Sequence, residues 1–296
     1  MDNQKLENMK NNRGFIAALD QSGGSSSKTL KLYGISEAAF GDDEELMFGL
    51  IHQMRKRVFT SDSFTKENII GAILFRKTML SKIGEEYTSE YLWNQKGIIS
   101  FLKVDKGLEE QNNGVKLMKP IDDLQEQLDE ANAHGVFGTK MRSVIYEPNR
   151  DGIRAIVEQQ FDFAEKICNN GLVPIIEPEV DINSPEKLEC EKILKEYIIE
   201  KLNTWDSNKK IMFKFTIPTE ENLYLDLYNY ECVVRVVALS GGYKIDEACD
   251  KLSRNNRMIA SFSRALLEDL RVDQSKEEFD EKLRSVIIKI AEASNT

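Results

Sequence analysis

Histidine is almost missing from this chain: His52 and His134 are the only two in 296 residues. A zinc centre of three histidines cannot be built from them. Cysteine is nearly as scarce. The four present, Cys168, Cys190, Cys232 and Cys249, are far apart with no Cys-x-x-Cys pair, so reduced, packed thiols are expected. Proline is limited to 6 residues and no Gly/Ser-rich linker occurs, which leaves no domain boundary and reads residues 1–296 as a single domain. There is no long basic run, and the formal net charge is -10. That excludes a nucleic-acid partner, whose phosphates need a basic patch. A small phosphorylated substrate remains compatible, because a local cluster of cations can sit in an acidic protein. No window approaches the ~18 apolar residues of a membrane span, and the first residues lack the apolar run of a signal peptide. A cytoplasmic protein with no membrane partner is the expectation; a homo-oligomer is compatible with it.

What the chain does have is a repeated alternation. Eight short apolar runs occur at 14–20, 69–75, 98–105, 135–140, 172–177, 211–217, 233–240 and 258–263. Near-continuous apolar runs of this length are the mark of parallel strands buried on both faces. Longer amphipathic stretches separate them. Residues 151–169 carry Ile153, Ile156, Val157, Gln160, Phe161 and Ala164 at helical spacing, and 276–293 carry Phe279, Leu283, Val286, Ile287 and Ile290. The stretch 185–203 opens on Ser184-Pro185, read as an N-cap and a first helical position. The long segment 21–68 needs an extra helix or two, one of them over 43–59. Eight strand–helix alternations predict an α/β fold, a closed (β/α)8 barrel. The runner-up, a doubly wound open sheet, lacks the Gly-x-Gly-x-x-Gly expected after its first strand.

The chemistry shows as charges that a barrel would not otherwise tolerate. Residues two apart on a strand share a face. Ile16, Ala18 and Asp20 form one such set. The others are Phe101, Lys103 and Asp105; Gly138, Lys140 and Arg142; Val173, Ile175, Glu177 and Glu179; and Met212, Lys214 and Thr216. Each runs from apolar or small residues to polar or ionisable ones at the strand's C-terminal end, where barrel enzymes do their chemistry. Lys214 lies between Phe213 and Phe215. Lost hydration there disfavours the ammonium form, a neighbouring cation such as Lys140 adds to this, and a neutral amine attacks carbonyls. Taken alone, Lys214 reads equally well as half of a buried ion pair with Glu177. Glu177 and Glu179 on one face could move the protons that imine chemistry requires, and Asp20 would have to reach across the barrel to join them. Ser240-Gly241-Gly242 after the seventh run, and Arg264 at the end of the eighth, suit a phosphate. Ser22 to Ser25 after the first run offers a second anion loop, so a bisphosphate is the expected ligand class.

These strings resemble one family. Ala-Leu-Asp20-Gln-Ser-Gly-Gly-Ser, Phe-Leu-Lys103-Val-Asp-Lys-Gly, Val-Pro-Ile-Ile-Glu177-Pro-Glu, Phe-Lys214-Phe, Leu-Ser240-Gly-Gly and Ser-Phe-Ser-Arg264-Ala-Leu look like class I fructose-bisphosphate aldolase. The likeness runs from about residue 14 to 275 and is nearest to the shorter bacterial form. It implies that Lys214 forms a Schiff base with fructose 1,6-bisphosphate, that Glu177 is the general acid/base, and that Glu179 is a supporting carboxylate that orients the lysines. Asp20 would order the lysine and the substrate hydroxyls, with Lys140 and Arg142 as a cationic pair beside the hydroxyls and the distal phosphate. Lys103 would contact substrate. Ser240, Gly241, Gly242 and Arg264 would clamp the phosphate of the dihydroxyacetone half, and Ser22 and Ser25 the other. Neither cofactor nor metal is implied, and activity should survive EDTA. Two departures stand out. Longer members place a C-terminal tyrosine in the site, whereas this chain ends Glu-Ala-Ser-Asn-Thr; and Gln21 stands where they carry glutamate. Rival readings are another Schiff-base sugar-phosphate aldolase and a non-catalytic scaffold barrel.

Overall fold

The computed structural model describes residues 2–22 and 24–295. Eight parallel strands carry the fold: β1 (Phe15–Leu19), β2 (Ile69–Leu74), β3 (Ile99–Lys103), β4 (Gly138–Ile145), β5 (Val173–Val180), β6 (Ile211–Thr216), β7 (Val233–Leu239) and β8 (Met258–Ala260). Their order in the sheet follows their order in the chain. Among the described residues no ladder joins β8 to β1. The seam is bridged instead just past β8, where the Ala18 N–H donates to the Phe262 carbonyl at 3.1 Å. This is the (β/α)8 architecture expected from the alternation.

The strands are apolar over most of their length because each faces two cores. Ile16, Phe101, Ile175 and Met212 point inward and pack with one another inside the barrel. Phe15, Leu102, Ile176 and Phe213 point outward against the helices. Burying both faces is what a parallel sheet under helices requires. Gly138 sits where nothing larger fits. A Cβ there would lie 2.0 Å from the Val173 carbonyl oxygen and 3.0 Å from the Phe101 ring.

Nine helices of eight or more residues are described: α1 (Asn3–Asn11), α2 (Gly24–Tyr33), α3 (Glu44–Thr60), α4 (Thr88–Lys96), α5 (Leu124–Ala133), α6 (Arg150–Asn169), α7 (Lys187–Leu202), α8 (Ile245–Ser253) and α9 (Lys276–Ala293). In α6, the Asn149 side chain accepts from the Gly152 N–H at 3.0 Å, and the buried stripe runs from Ile153 to Ile167. Ser275 and Glu278 form a capping box that starts α9. α1 closes the floor of the barrel. Its Met9 belongs to the inner core, and the Arg235 guanidinium donates to the Met9 carbonyl at 2.9 Å and the Asn12 carbonyl at 3.0 Å.

Some expected boundaries move. The fourth strand begins at Gly138 and runs on to Ile145, not over 135–140, because Gly135 with its φ of 63° is still in the turn after α5. The Ser184-Pro185 cap fails. α7 begins two residues later with Glu186 at the cap and no side-chain cap bond, since residues 181–184 form a turn closed by Ser184 N–H donating to the Asp181 carbonyl at 3.1 Å. β8 ends at Ala260, so Arg264 opens a short following helix rather than closing the strand. The long first connection holds α3 as expected, preceded by α2.

Candidate active site

The inward parity of the strands carries upward to their C-terminal ends. Above the apolar floor the same positions become Asp20 on the chain leaving β1, Lys103 on β3, Lys140 and Arg142 on β4, Glu177 and Glu179 on β5, and Lys214 on β6. All seven line one cavity of about 360 Å³. Ser22, Ser25, Ser240, Gly241, Gly242 and Arg264 line it too, so every candidate drawn from the sequence meets there. Gly23, between the two serines, lies outside the described residues.

The charges interlock. Lys214 Nζ stands 3.0 Å from Glu177 Oε1, and Lys140 Nζ stands 3.1 Å from Glu177 Oε2. Lys140 Nζ also lies 2.7 Å from Asp20 Oδ2 and 3.9 Å from Asp105 Oδ2. One ammonium therefore sits among three carboxylates, and Asp20 does reach across the mouth. The buried ion pair of Lys214 with Glu177 is present, but as one edge of this larger net. Glu179 pairs with Arg142, whose Nε lies 2.5 Å from Glu179 Oε2, while the charge of Lys214 also acts on it. Lys103 joins the net through Asp105, its Nζ 2.8 Å from Asp105 Oδ1.

Burial and charge act in opposite directions on these groups. Burial alone would raise Asp20, but Lys140 and Lys214 outweigh it and hold the carboxyl below the usual range. Burial likewise pushes Glu177 up, and Lys140, Lys214 and Arg142 bring it below its ordinary value. For Lys140, burial disfavours the ammonium, yet Asp20, Glu177 and Asp105 together raise it. Glu179 goes the other way. Burial, with repulsion from Glu177, raises it despite Arg142. Two adjacent carboxyls on one strand face are thus pushed apart, one towards the anion and one towards the acid.

The scaffold fixes the central pair from outside. The Glu177 N–H donates to Gln160 Oε1 on α6 at 2.9 Å, while Gln160 Nε2 donates to Ser143 Oγ on β4 at 3.0 Å. The pairing of β5 with β6 ends at Ile176 and Phe213, just before Glu177 and Lys214. Above it, Thr216 Oγ1 donates to the Val180 carbonyl at 2.6 Å and accepts from the Val180 N–H at 3.1 Å. Over β7, Gly241 and Gly242 take φ of 62° and 118°, open to glycine and strained for other residues. Ser25 Oγ accepts from the Ser22 N–H at 2.9 Å and donates to its carbonyl at 2.7 Å, tying Ser22 to the first turn of α2.

Sequence reasoning assigned no role to Asp105, although it shares its parity with Lys103. Its signal was present, since a carboxylate two residues past a strand-end lysine on the same face has a partner within reach. Lys28, one helical turn beyond Ser25, also lines the cavity and was unmarked, because an exposed helical lysine looks like any other solvated cation.

Comparison with known proteins agrees with this geometry. Residues 6–220 match the family described as fructose-bisphosphate aldolase class-I. A curated relative from Clostridium acetobutylicum, named fructose-bisphosphate aldolase class 1, is 54% identical over 296 residues, covering 100% of both chains. Among solved structures, the fructose-bisphosphate aldolase of Plasmodium falciparum, crystallised with TRAP and a small molecule inhibitor, superposes with a TM-score of 0.78 over 98% of this chain and 92% of that one. At 23% identity that likeness speaks to the fold alone.

Proposed function

We propose roles for individual residues from one established premise: the chain belongs to the class I fructose-bisphosphate aldolase family. Its activity is that of a carbon–carbon lyase of glycolysis, reversibly cleaving fructose 1,6-bisphosphate to dihydroxyacetone phosphate and glyceraldehyde 3-phosphate. Sugar phosphates are its substrates, and we place it in the cytoplasm.

In this reading Lys214 gives up its proton to Glu177, 3.0 Å away, and attacks C2 of the open-chain ketose. Proton transfers within the net convert the carbinolamine hydroxyl to water, which leaves, and the protonated imine becomes an electron sink. Glu177, held on the anionic side, takes the C4 hydroxyl proton. The C3–C4 electron pair flows into the imine, glyceraldehyde 3-phosphate departs, and an enamine remains. A proton delivered to C3 and a water molecule added to C2 then release dihydroxyacetone phosphate and the free amine. Asp20 and Lys140 hold the hydroxyls and keep the central charges balanced. Glu179, pushed up by burial and gripped by Arg142, supports Glu177 while Arg142 faces the distal phosphate. Lys103 adds a cation near the same hydroxyls. Ser240, Gly241, Gly242 and Arg264 take one phosphate, and Ser22 and Ser25 the other.

The observation that carries this reading is a lysine only 4% exposed, on the inner face of the barrel, in contact with a carboxylate that a second lysine also grips. Borohydride reduction in the presence of dihydroxyacetone phosphate should leave one adduct, on the peptide holding Lys214, and Lys214→Met should abolish it and lower kcat by at least about a thousandfold. An adduct on Lys103 or Lys140 would move the assignment. No adduct with active enzyme would discard the imine.

A further inference from the structure

Arg55 is a buried cation that the reaction just described does not use. It projects from α3 and is 0% exposed. Among the described residues its guanidinium donates to neutral oxygens alone: Thr78 Oγ1, the Gln21 carbonyl at 2.6 Å and Gln21 Oε1 at 3.0 Å. The acid that acts on it is Asp20, whose own ion pair is with Lys140. Burial consequently pulls the guanidinium down to about 10. A desolvated charge opposite neutral dipoles is expensive to keep, so its surroundings suggest what completes it.

Those surroundings are the two anion loops. Gln21 Nε2 donates to Ser263 Oγ at 2.6 Å. The chain Arg55–Gln21–Ser263 therefore ties the loop after β1 to the loop after β8, across the seam that no ladder closes. Gln21 and Ser263 both line the cavity. Each is directly followed by a residue assigned to phosphate, Ser22 and Arg264 respectively. We propose that Arg55 is a positioning residue for phosphate binding: it fixes both loops through Gln21 and Ser263, and a phosphate in the cavity adds to the negative charge that Asp20, shared with Lys140, supplies only in part. The proposal rests on the aldolase reading and adds a determinant of substrate affinity outside the cavity wall.

Gln21→Glu provides the test, because it places a carboxylate where Oε1 now meets the guanidinium. If the phosphate is the remaining counter-charge, the variant's free form melts higher than wild type, yet its KM for fructose 1,6-bisphosphate rises about tenfold, the size of one charge-assisted hydrogen bond. Its kcat should change by less than about threefold. Inorganic phosphate should raise the melting temperature of wild type more than that of the variant. A purely structural arginine predicts the higher melting temperature with KM and the phosphate response unchanged, and that result overturns the proposal. Ser263→Ala gives a second reading that leaves the buried arginine intact. It should raise KM at constant kcat, and combining it with Gln21→Glu should add little; independent, multiplying effects would break the relay. Wild-type enzyme without cleavage or a trapped imine would refute the aldolase reading instead, so the two failures are distinguishable.

Discussion

Lys140 sets the charge state of its neighbours more than any other side chain at the mouth. It is the strongest cation opposing burial at both Asp20 and Glu177, and it lies 2.7 Å from one and 3.1 Å from the other. Lys140→Met would leave those carboxylates, with Asp105, facing each other in a desolvated space. Breaking one partner of a buried pair costs on the order of 3 kcal/mol or more, which should appear as a lower melting temperature. The more specific consequence concerns Glu177. Without its leading cation its pKa must rise, so the acid limb of the pH dependence of residual kcat/KM should move to higher pH. An acid limb that stays in place would mean that Glu177 is not the base whose ionisation that limb reports. The same residues mark how far the sequence could be read. Parity set Lys140 with Arg142, Glu177 with Glu179, and Lys214 with Thr216, each on one face of its own strand. The contact partners depend on the tilt of neighbouring strands, which no single strand encodes. This is why the pairing of Glu179 with Arg142 and the contact of Asp105 with Lys140 show only in the fold.

At the level of elements, the chain announces its strands by composition and its helices by period, and both signals come from burial. β2, β6 and β7 lie within a residue of their apolar runs because both faces meet a core. α6 and α9 match their stripes because one face does. The failures come where geometry is set by turns. Arg55 escaped notice because a buried arginine on an amphipathic helix looks, in sequence, like a residue of the polar face. α1 was unmarked because its 9 residues carry little apolar pattern, and only the open floor of the barrel makes a place for Met9. The tightest strand contact supplies the element-scale prediction. A methyl group at Gly138 would press on the Val173 carbonyl at 2.0 Å, and backbone cannot yield as a side-chain tip can. β4 and β5 must then separate where Gly138 pairs with Val173, two residues below Lys140. Gly138→Ala should cost about 3 kcal/mol, at the upper end of overpacking penalties, and should lower kcat as well, since Lys140 and Glu177 ride on the two strands. Loss of stability with unchanged kcat in the folded fraction would show that the mouth tolerates movement of its floor.

For the molecule as a whole, the buried net makes stability depend on pH. Asp20 and Glu177 titrate apart from the same groups in the unfolded chain, because their folded pKa values are depressed. The stability they contribute is fully present above the unfolded carboxylate value of about 4 and is lost as pH falls through the folded values. Lys140, raised in the folded state, contributes fully below its unfolded value of about 10.4 and loses that contribution as pH climbs through the folded one. Both contributions are in force across the neutral range. Comparing wild type with Asp20→Asn isolates one of them, because every other titrating group acts on both proteins and nearly cancels in the difference. The wild type should melt higher at pH 7, and the gap should shrink as pH is lowered below about 4, where the carboxyl of the unfolded chain begins to take up a proton that the folded one still refuses and the amide never needs. A gap that stays constant from pH 7 to 3 would mean that Asp20 contributes its shape and not its charge. In that case Lys140 would be balanced by Glu177 and Asp105 alone.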